Sequence, residues 1–177
     1  KIISKTFLKR IFIVRLFWIQ LFKILPFNLR PLFGVFRHHN PKGIGLFISG
    51  YCQLFDYYKR NGEEKELERI RDEINYLADK LISLASVGYS GDCWGYPFDW
   101  QNRVFFQPRD TPTVVATSFA ADALFAAYER TGKSSYLVSA LSACEFVRLD
   151  LNRFYYSDGT FVFSYSPHDT SRVYNAS

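Results

Sequence analysis

A strongly apolar helical pattern, then an amphipathic one, then a loop crowded with aromatics occurs twice along this chain. Asn40-Pro41 opens the first apolar helix with Asn as N-cap and Pro at the first helical position. The pattern runs through Leu46, Phe47, Gly50, Leu54, Phe55 and Tyr58 and stops at Asn61-Gly62. Ile44 to Phe55 carries no charge, so this helix is expected inside, buried all round. From Glu63 to Ser86, Leu67, Ile70, Ile74, Leu77, Leu81 and Leu84 recur at spacings of three and four among charged residues. That stripe predicts an amphipathic helix lying outside the buried one. The second round starts at Thr111-Pro112, passes Val114, Val115, Phe119, Leu124, Phe125 and Tyr128, and stops at Thr131-Gly132. Its outer helix, Ser134 to Leu151, carries Leu137, Leu141, Cys144 and Val147. Asp122 falls in the apolar run Ala120 to Leu124 and is expected to be buried with a partner such as Arg109, Arg130 or a hydroxyl.

Adding 70 to positions 43–67 gives 113–137, and six of those 25 pairs are identical, among them Leu54/Leu124, Phe55/Phe125, Arg60/Arg130 and Gly62/Gly132. The loops correspond as well: Tyr89-Ser90 matches Tyr156-Ser157, and Thr111 to Ser118 is similar to Thr170 to Ser177, where a third inner helix would begin. Asp158-Gly159 between aromatic and β-branched residues predicts a short β-hairpin in the second loop. The expected fold is therefore all-α, built of helical-hairpin repeats of about 60–70 residues with long loops on one rim. Residues 38–177 hold two hairpins and the start of a third, and the chain, which has no Met, reads as a fragment.

Residues 1–37 are a basic, apolar helical arm and linker: eight Lys and Arg and no acid give +8, leaving 5 − 8 = −3 for the rest. Residues 4–25 read as one helix closed by Pro26. The arm's bulk is Phe, Ile and Leu and no nucleic-acid module is present, so nucleic acid is not an expected partner. Arg15 and Lys23 interrupt the apolar run well short of the ~20 residues of a membrane span. Two readings stay open: a helix packed on its own domain, or an interfacial helix making peripheral membrane contact. Cys52, Cys93 and Cys144 have neither the even number of a disulfide framework nor metal-ligand spacing, so the default setting is reducing and cytoplasmic, and no metal or cofactor is expected.

Asn28-Leu29-Arg30-Pro31, Asn40-Pro41-Lys42, Trp94-Gly95-Tyr96-Pro97-Phe98-Asp99-Trp100-Gln101 and Phe163-Ser164-Tyr165-Ser166 with Arg172-Val173-Tyr174-Asn175 resemble a group of bacterial and archaeal proteins found with polysaccharide biosynthesis. More broadly, the alternation of inner and outer helices is similar to the α/α toroid of six-hairpin glycosidases and related epimerases and lyases. The delta-aminolevulinic acid dehydratase label sometimes given to that group does not suit this sequence, because that enzyme is an α/β barrel and no strand–helix alternation occurs here. The resemblance implies an incomplete α/α toroid acting on a polysaccharide or sugar precursor, either as a glycosidase-, lyase- or epimerase-like enzyme or as a non-catalytic glycan-binding scaffold module.

Glycoside chemistry needs two carboxyl groups across a sugar site. Asp99, between Phe98 and Trp100, is the candidate acid, its pKa raised if those neighbours bury it, with a turn-capping role as the plain alternative. His168 and Asp169 stand at the equivalent place of the second loop as proton carrier and partner, the plain alternative being an N-cap beside a solvated His. Trp94, Tyr96, Trp100 and Tyr165 offer rings on which sugar faces stack, with Gln101 beside them. Arg109 and Arg172 suit a carboxylate or phosphate on an acidic sugar.

Overall fold

The computed structural model of the chain describes residues 12–27, 37–101 and 106–171, which fall into two units, Lys1–His38 and His39–Ser177. In the first, helix α1 covers Phe12–Ile24 with Lys23 in its last turn, where the helix dipole favours a cation. Ile13, Phe17 and Ile24 are exposed. The expected helical residues 4–11 and the Asn28–Pro31 motif lie outside the described residues. No helix among the described residues is long and apolar enough to cross a membrane.

The second unit is mostly helical: α2 (Pro41–Asn61), α3 (Glu64–Ile82), α4 (Val114–Thr131) and α5 (Ser134–Asp150). Local chemistry sets their ends. Asn40 Oδ1 accepts from the Lys42 N–H at 3.1 Å, with Pro41 at the first helical position. Gly62 (φ 71) and Gly132 (φ 74) close α2 and α4 in the left-handed region that favours glycine, donating their N–H to the carbonyls of Tyr58 and Tyr128. The first helix of the second round starts later than its Thr-Pro suggests: Thr113 is the N-cap, accepting from Ala116 N, and Thr111-Pro112 belongs to the loop.

α2 pairs with α3 and α4 with α5 as two helical hairpins, and α4 lies against both α2 and α3. Alanines at 116, 120, 123 and 127 face the core and bring α4 close to α2. At Gly45 an added Cβ would stand 2.9 Å from the Phe119 carbonyl oxygen. Around this contact Ile48, Ile70, Ile74, Leu81, Leu124 and Tyr136 form a closed core.

Several sequence expectations are corrected. α2 is not buried all round: Leu46 (53%), Phe47 (68%) and Leu54 (44%) are open. α5 packs through Tyr136, Ser139, Ala140, Ala143 and Phe146, whereas Leu141 and Cys144 are exposed. Asp122 is exposed as well, and the Arg130 guanidinium reaches Asp56 and Glu129 instead. Nor does the 70-residue offset hold for the packed faces. Leu54 is open while Leu124 is fully buried, and Phe55 is buried while Phe125 is open. The faces coincide at 72: Pro41, Ile44, Gly45, Ile48, Cys52 and Phe55 correspond to Thr113, Ala116, Thr117, Ala120, Leu124 and Ala127, all buried. For the outer helices the offset is 69, which carries Leu67, Ile70 and Ile74 onto Tyr136, Ser139 and Ala143.

Two small antiparallel sheets stand in the loops. β1 (Trp100–Gln101) pairs with β2 (Phe106–Gln107), an element without a sequence signal. β3 (Arg153–Tyr155) pairs with β4 (Phe161–Phe163) as the expected hairpin. Its turn has Gly159 at φ 84, and Asp158 Oδ1 accepts from both Thr160 N and Oγ1. Those hydrogen bonds hold the Asp158 carboxyl below its ordinary range.

Candidate functional site

The loop from α3 to α4 is bolted down by one side chain. Trp94 is fully buried, its Nε1 donates to the Leu81 carbonyl at 2.8 Å, and its backbone N–H donates to Thr117 Oγ1 at 3.1 Å. The Trp94 carbonyl in turn accepts from Thr113 N at 3.0 Å. Next to it, Gly95 bridges Pro112 so closely that a Cβ would lie 2.3 Å from the Thr111 carbonyl oxygen. Further back, Ser139 donates to the Asp92 carboxylate, Ser142 Oγ accepts from Asp92 N, and Asp150 accepts from Ser90 N and Oγ. The loop root is thereby tied to α5. Cys93, enclosed at this root, has its thiol pushed up to about 12 by burial.

Beyond the bolt the rings form a run. Tyr96 stacks on Phe98 at 5.5 Å between centroids and meets Trp100 edge-on at 6.3 Å, and Trp100 lies 5.5 Å from Tyr165 of the second loop. Tyr165 is buried. Burial keeps that phenol far above its ordinary range. The two loops are joined again where Ser166 Oγ donates to Gln107 Oε1 at 3.0 Å, and the second loop is tied to the start of α4 where Val114 N donates to the Tyr165 carbonyl at 2.9 Å.

The charged edge of this run is Asp99, Arg109 and Asp110. Asp99 is exposed and its Oδ1 accepts from Arg109 N at 3.0 Å, the turn-capping role. Phe98 and Trp100 do not bury it. Arg109 Nε meets Asp110 Oδ2 at 2.8 Å, with both side chains open to solvent. Asp110 holds φ 59, among the described residues the one non-glycine in the left-handed region, a conformation that Asp tolerates better than most. Asp110, Phe98 and Gln107 were not singled out from sequence. Asp110 could have been noticed as the acid beside Arg109; Gln107 had no signal.

The remaining expected residues separate. Trp94 is a core bolt, fully buried and so without a ring surface to offer a ligand. Asp169 is buried and turned inward, accepting from Tyr165 N, Ser171 N and Ser171 Oγ, and the helix that it would cap lies outside the described residues. His168 beside it is exposed. Gln101 is placed only by its backbone in β1, and Arg172 lies outside the described residues. Among the described residues no three His, Cys, Asp or Glu side chains gather as metal ligands.

No protein-family model, curated protein or solved structure matches the chain. What can be said of function therefore comes from these residues.

Proposed function

We propose that this chain supplies two hairpins of an α/α toroid acting in polysaccharide metabolism, and that the aromatic run with its charged edge binds the sugar. The supporting observation is that Tyr96, Phe98 and Trp100 form a continuous ring surface bordered by Asp99, Arg109 and Asp110. Sugar rings stack their apolar faces on such surfaces, while hydroxyl and carboxylate groups need acceptors and a guanidinium at the rim. Asp99 is the group placed to exchange a proton with a bound sugar, in a glycosidase-, lyase- or epimerase-like reaction. Arg109 favours an acidic sugar.

One observation favours the second reading, a non-catalytic glycan-binding module. Asp169, the carboxylate expected from the other loop, spends its oxygens on its own loop, which leaves Asp99 without that partner. Calorimetric titration with uronic-acid-containing and neutral oligosaccharides tests both. Binding that is lost in Trp100→Ala and weakened in Arg109→Ala supports the site; turnover lost in Asp99→Asn with binding kept supports the enzyme. No heat with any glycan of a broad panel would reject the carbohydrate reading.

A further inference from the structure

Pro108 to Thr111 form a turn, closed where Thr111 N donates to the Pro108 carbonyl at 3.3 Å. Its third residue, Asp110, holds φ 59, while Arg109 before it stays outside the left-handed region. That is the pattern of a type II turn, whose third position is ordinarily Gly or Asn because other side chains strain the backbone there. The conformation is fixed from both sides. Asp110 N donates to the Tyr96 carbonyl at 2.8 Å, and the Asp110 carbonyl accepts from Ser86 Oγ at 2.9 Å. Gly95 packs so close that a Cβ on it would lie 2.7 Å from the Asp110 carbonyl carbon. The turn is thus held to the loop root and to the backbone of the residue whose ring begins the aromatic run.

Glycine would fill this position with less strain, yet the chain carries a carboxylate there. Among the described residues that carboxylate meets one group, Arg109 Nε, at 2.8 Å. The two side chains are 43% and 61% exposed, and an ion pair so open to solvent contributes little to stability. What the pair fixes is direction. In an extended strand adjacent side chains point to opposite faces, whereas the turn brings these two together. Arg109 is held at two atoms as a result: its backbone N–H by Asp99 Oδ1 at 3.0 Å and its Nε by Asp110. With Nε engaged, the planar guanidinium presents its two Nη groups, a pair of donors that matches two oxygens of one oxyanion.

We propose that Asp110 is a positioning residue: held left-handed, it locks the Arg109 guanidinium so that both Nη groups take one anionic group of an acidic sugar, a carboxylate or a phosphate, at the rim of the aromatic run. Its part in recognition passes through Arg109. This rests on the carbohydrate reading of the site and names the pair that sets its preference.

Calorimetric titration of the full chain with an oligogalacturonate, the neutral oligosaccharide of equal length and a sugar phosphate tests it. The wild type is expected to prefer one of the acidic probes, which identifies the group as carboxylate or phosphate. Asp110→Gly should keep the thermal midpoint, since relief of strain offsets the freer unfolded chain, while the preference for that probe falls about tenfold. Asp110→Asn, which tolerates the left-handed region and keeps an oxygen for Nε, should restore most of it. The sign discriminates, because an acid that merely stood near the site would repel an anion, and its removal would tighten binding of the acidic probe. Arg109 Nε–H supplies a readout without sugar: its solvent exchange, followed by NMR, should be slow in the wild type and in Asp110→Asn, and fast in Asp110→Gly. A wild type that prefers the neutral probe, an unaltered or increased acidic preference in Asp110→Gly, or equal Nε–H exchange in all three would overturn the proposal and leave the carbohydrate reading in place. No heat with any of the three probes would remove the carbohydrate reading and this inference with it.

Discussion

Arg130, in the last turn of α4, places Nη2 2.8 Å from Oδ2 of Asp56 on α2 and so pins the C-terminal ends of the two inner helices together. Its Nη1 also reaches Glu129 and the Ala126 carbonyl, while its Nε is buried without a hydrogen-bond partner among the described residues. The Asp56 hydrogen bond raises the Arg130 pKa further, so the guanidinium is charged at every ordinary pH. Asp56→Ala should cost on the order of 1 kcal/mol, since the pair is only partly screened yet not fully desolvated. Urea unfolding should show the midpoint falling with the slope unchanged.

Two glycines of α2 should respond oppositely to alanine. At Gly45 the new methyl meets the Phe119 backbone at 2.9 Å, and α4 must move away; at Gly50 nothing lies within 4 Å. Overpacking of this kind costs about 1–3 kcal/mol against a helix-propensity gain of about 1 kcal/mol. Gly45→Ala should therefore lower the thermal midpoint and Gly50→Ala raise it. A gain at both positions would show that α2 and α4 are not in close contact.

Trp94→Phe keeps most of the buried ring but leaves the Leu81 carbonyl without the indole N–H. A loss of about 1–3 kcal/mol is expected, together with faster amide exchange in the loop that Trp94 anchors. If only stability changed and loop exchange did not, Trp94 would be core filling with no hold on the site.

The thiols divide by environment. Burial pushes Cys52 up to about 11 and Cys93 up to about 12, whereas Cys144 is exposed. Native protein at mildly alkaline pH should label rapidly at Cys144 alone, and at all three cysteines in denaturant. Because the folded pKa values are raised, the unfolded chain releases these protons first. Their contribution to stability is whole below about pH 8.5 and is lost as pH rises towards 11 and 12. Cys52→Ser and Cys93→Ser should flatten that alkaline loss.

The arm gives a prediction of its own. α1 exposes Ile13, Phe17 and Ile24, and residues 1–37 carry +8. If the arm is the interfacial helix, full-length protein should co-sediment with anionic vesicles and be released by high salt, since surface charge is screened within ~10 Å at 0.1 M. Equal recovery in the supernatant with and without vesicles would leave no interfacial role for it.

The helix ends were legible because their chemistry is local: Asn40-Pro41, Gly62 and Gly132 act on neighbours a few residues away. The buried stripe of α3 was legible for the same reason, standing out against charge on every other side. α5 was not, because its inward face mixes Tyr136, Ser139 and alanines while Val138 and Leu141 point out; what they pack on is decided by distant elements. Identities at an offset of 70 likewise reported shared helix stops more than shared faces. At the site, the aromatic loop was visible as composition, but the inward turn of Asp169 depends on its bonds to Tyr165 and Ser171, and Gln107 becomes notable only through Ser166.

The hydrogen bond from Val114 N to the Tyr165 carbonyl sets an order of events during synthesis. Emerging from the ribosome N-terminus first, the chain can complete α2 and α3 by themselves, whereas the first N–H of α4 meets this acceptor only after α5 has been translated. Trp100 and Gln107 wait for Tyr165 and Ser166 in the same way. The aromatic surface is thus among the last parts of this unit to mature, and a nascent chain halted before Tyr165 would display Phe98 and Trp100 without their neighbour, as a surface open to chaperones.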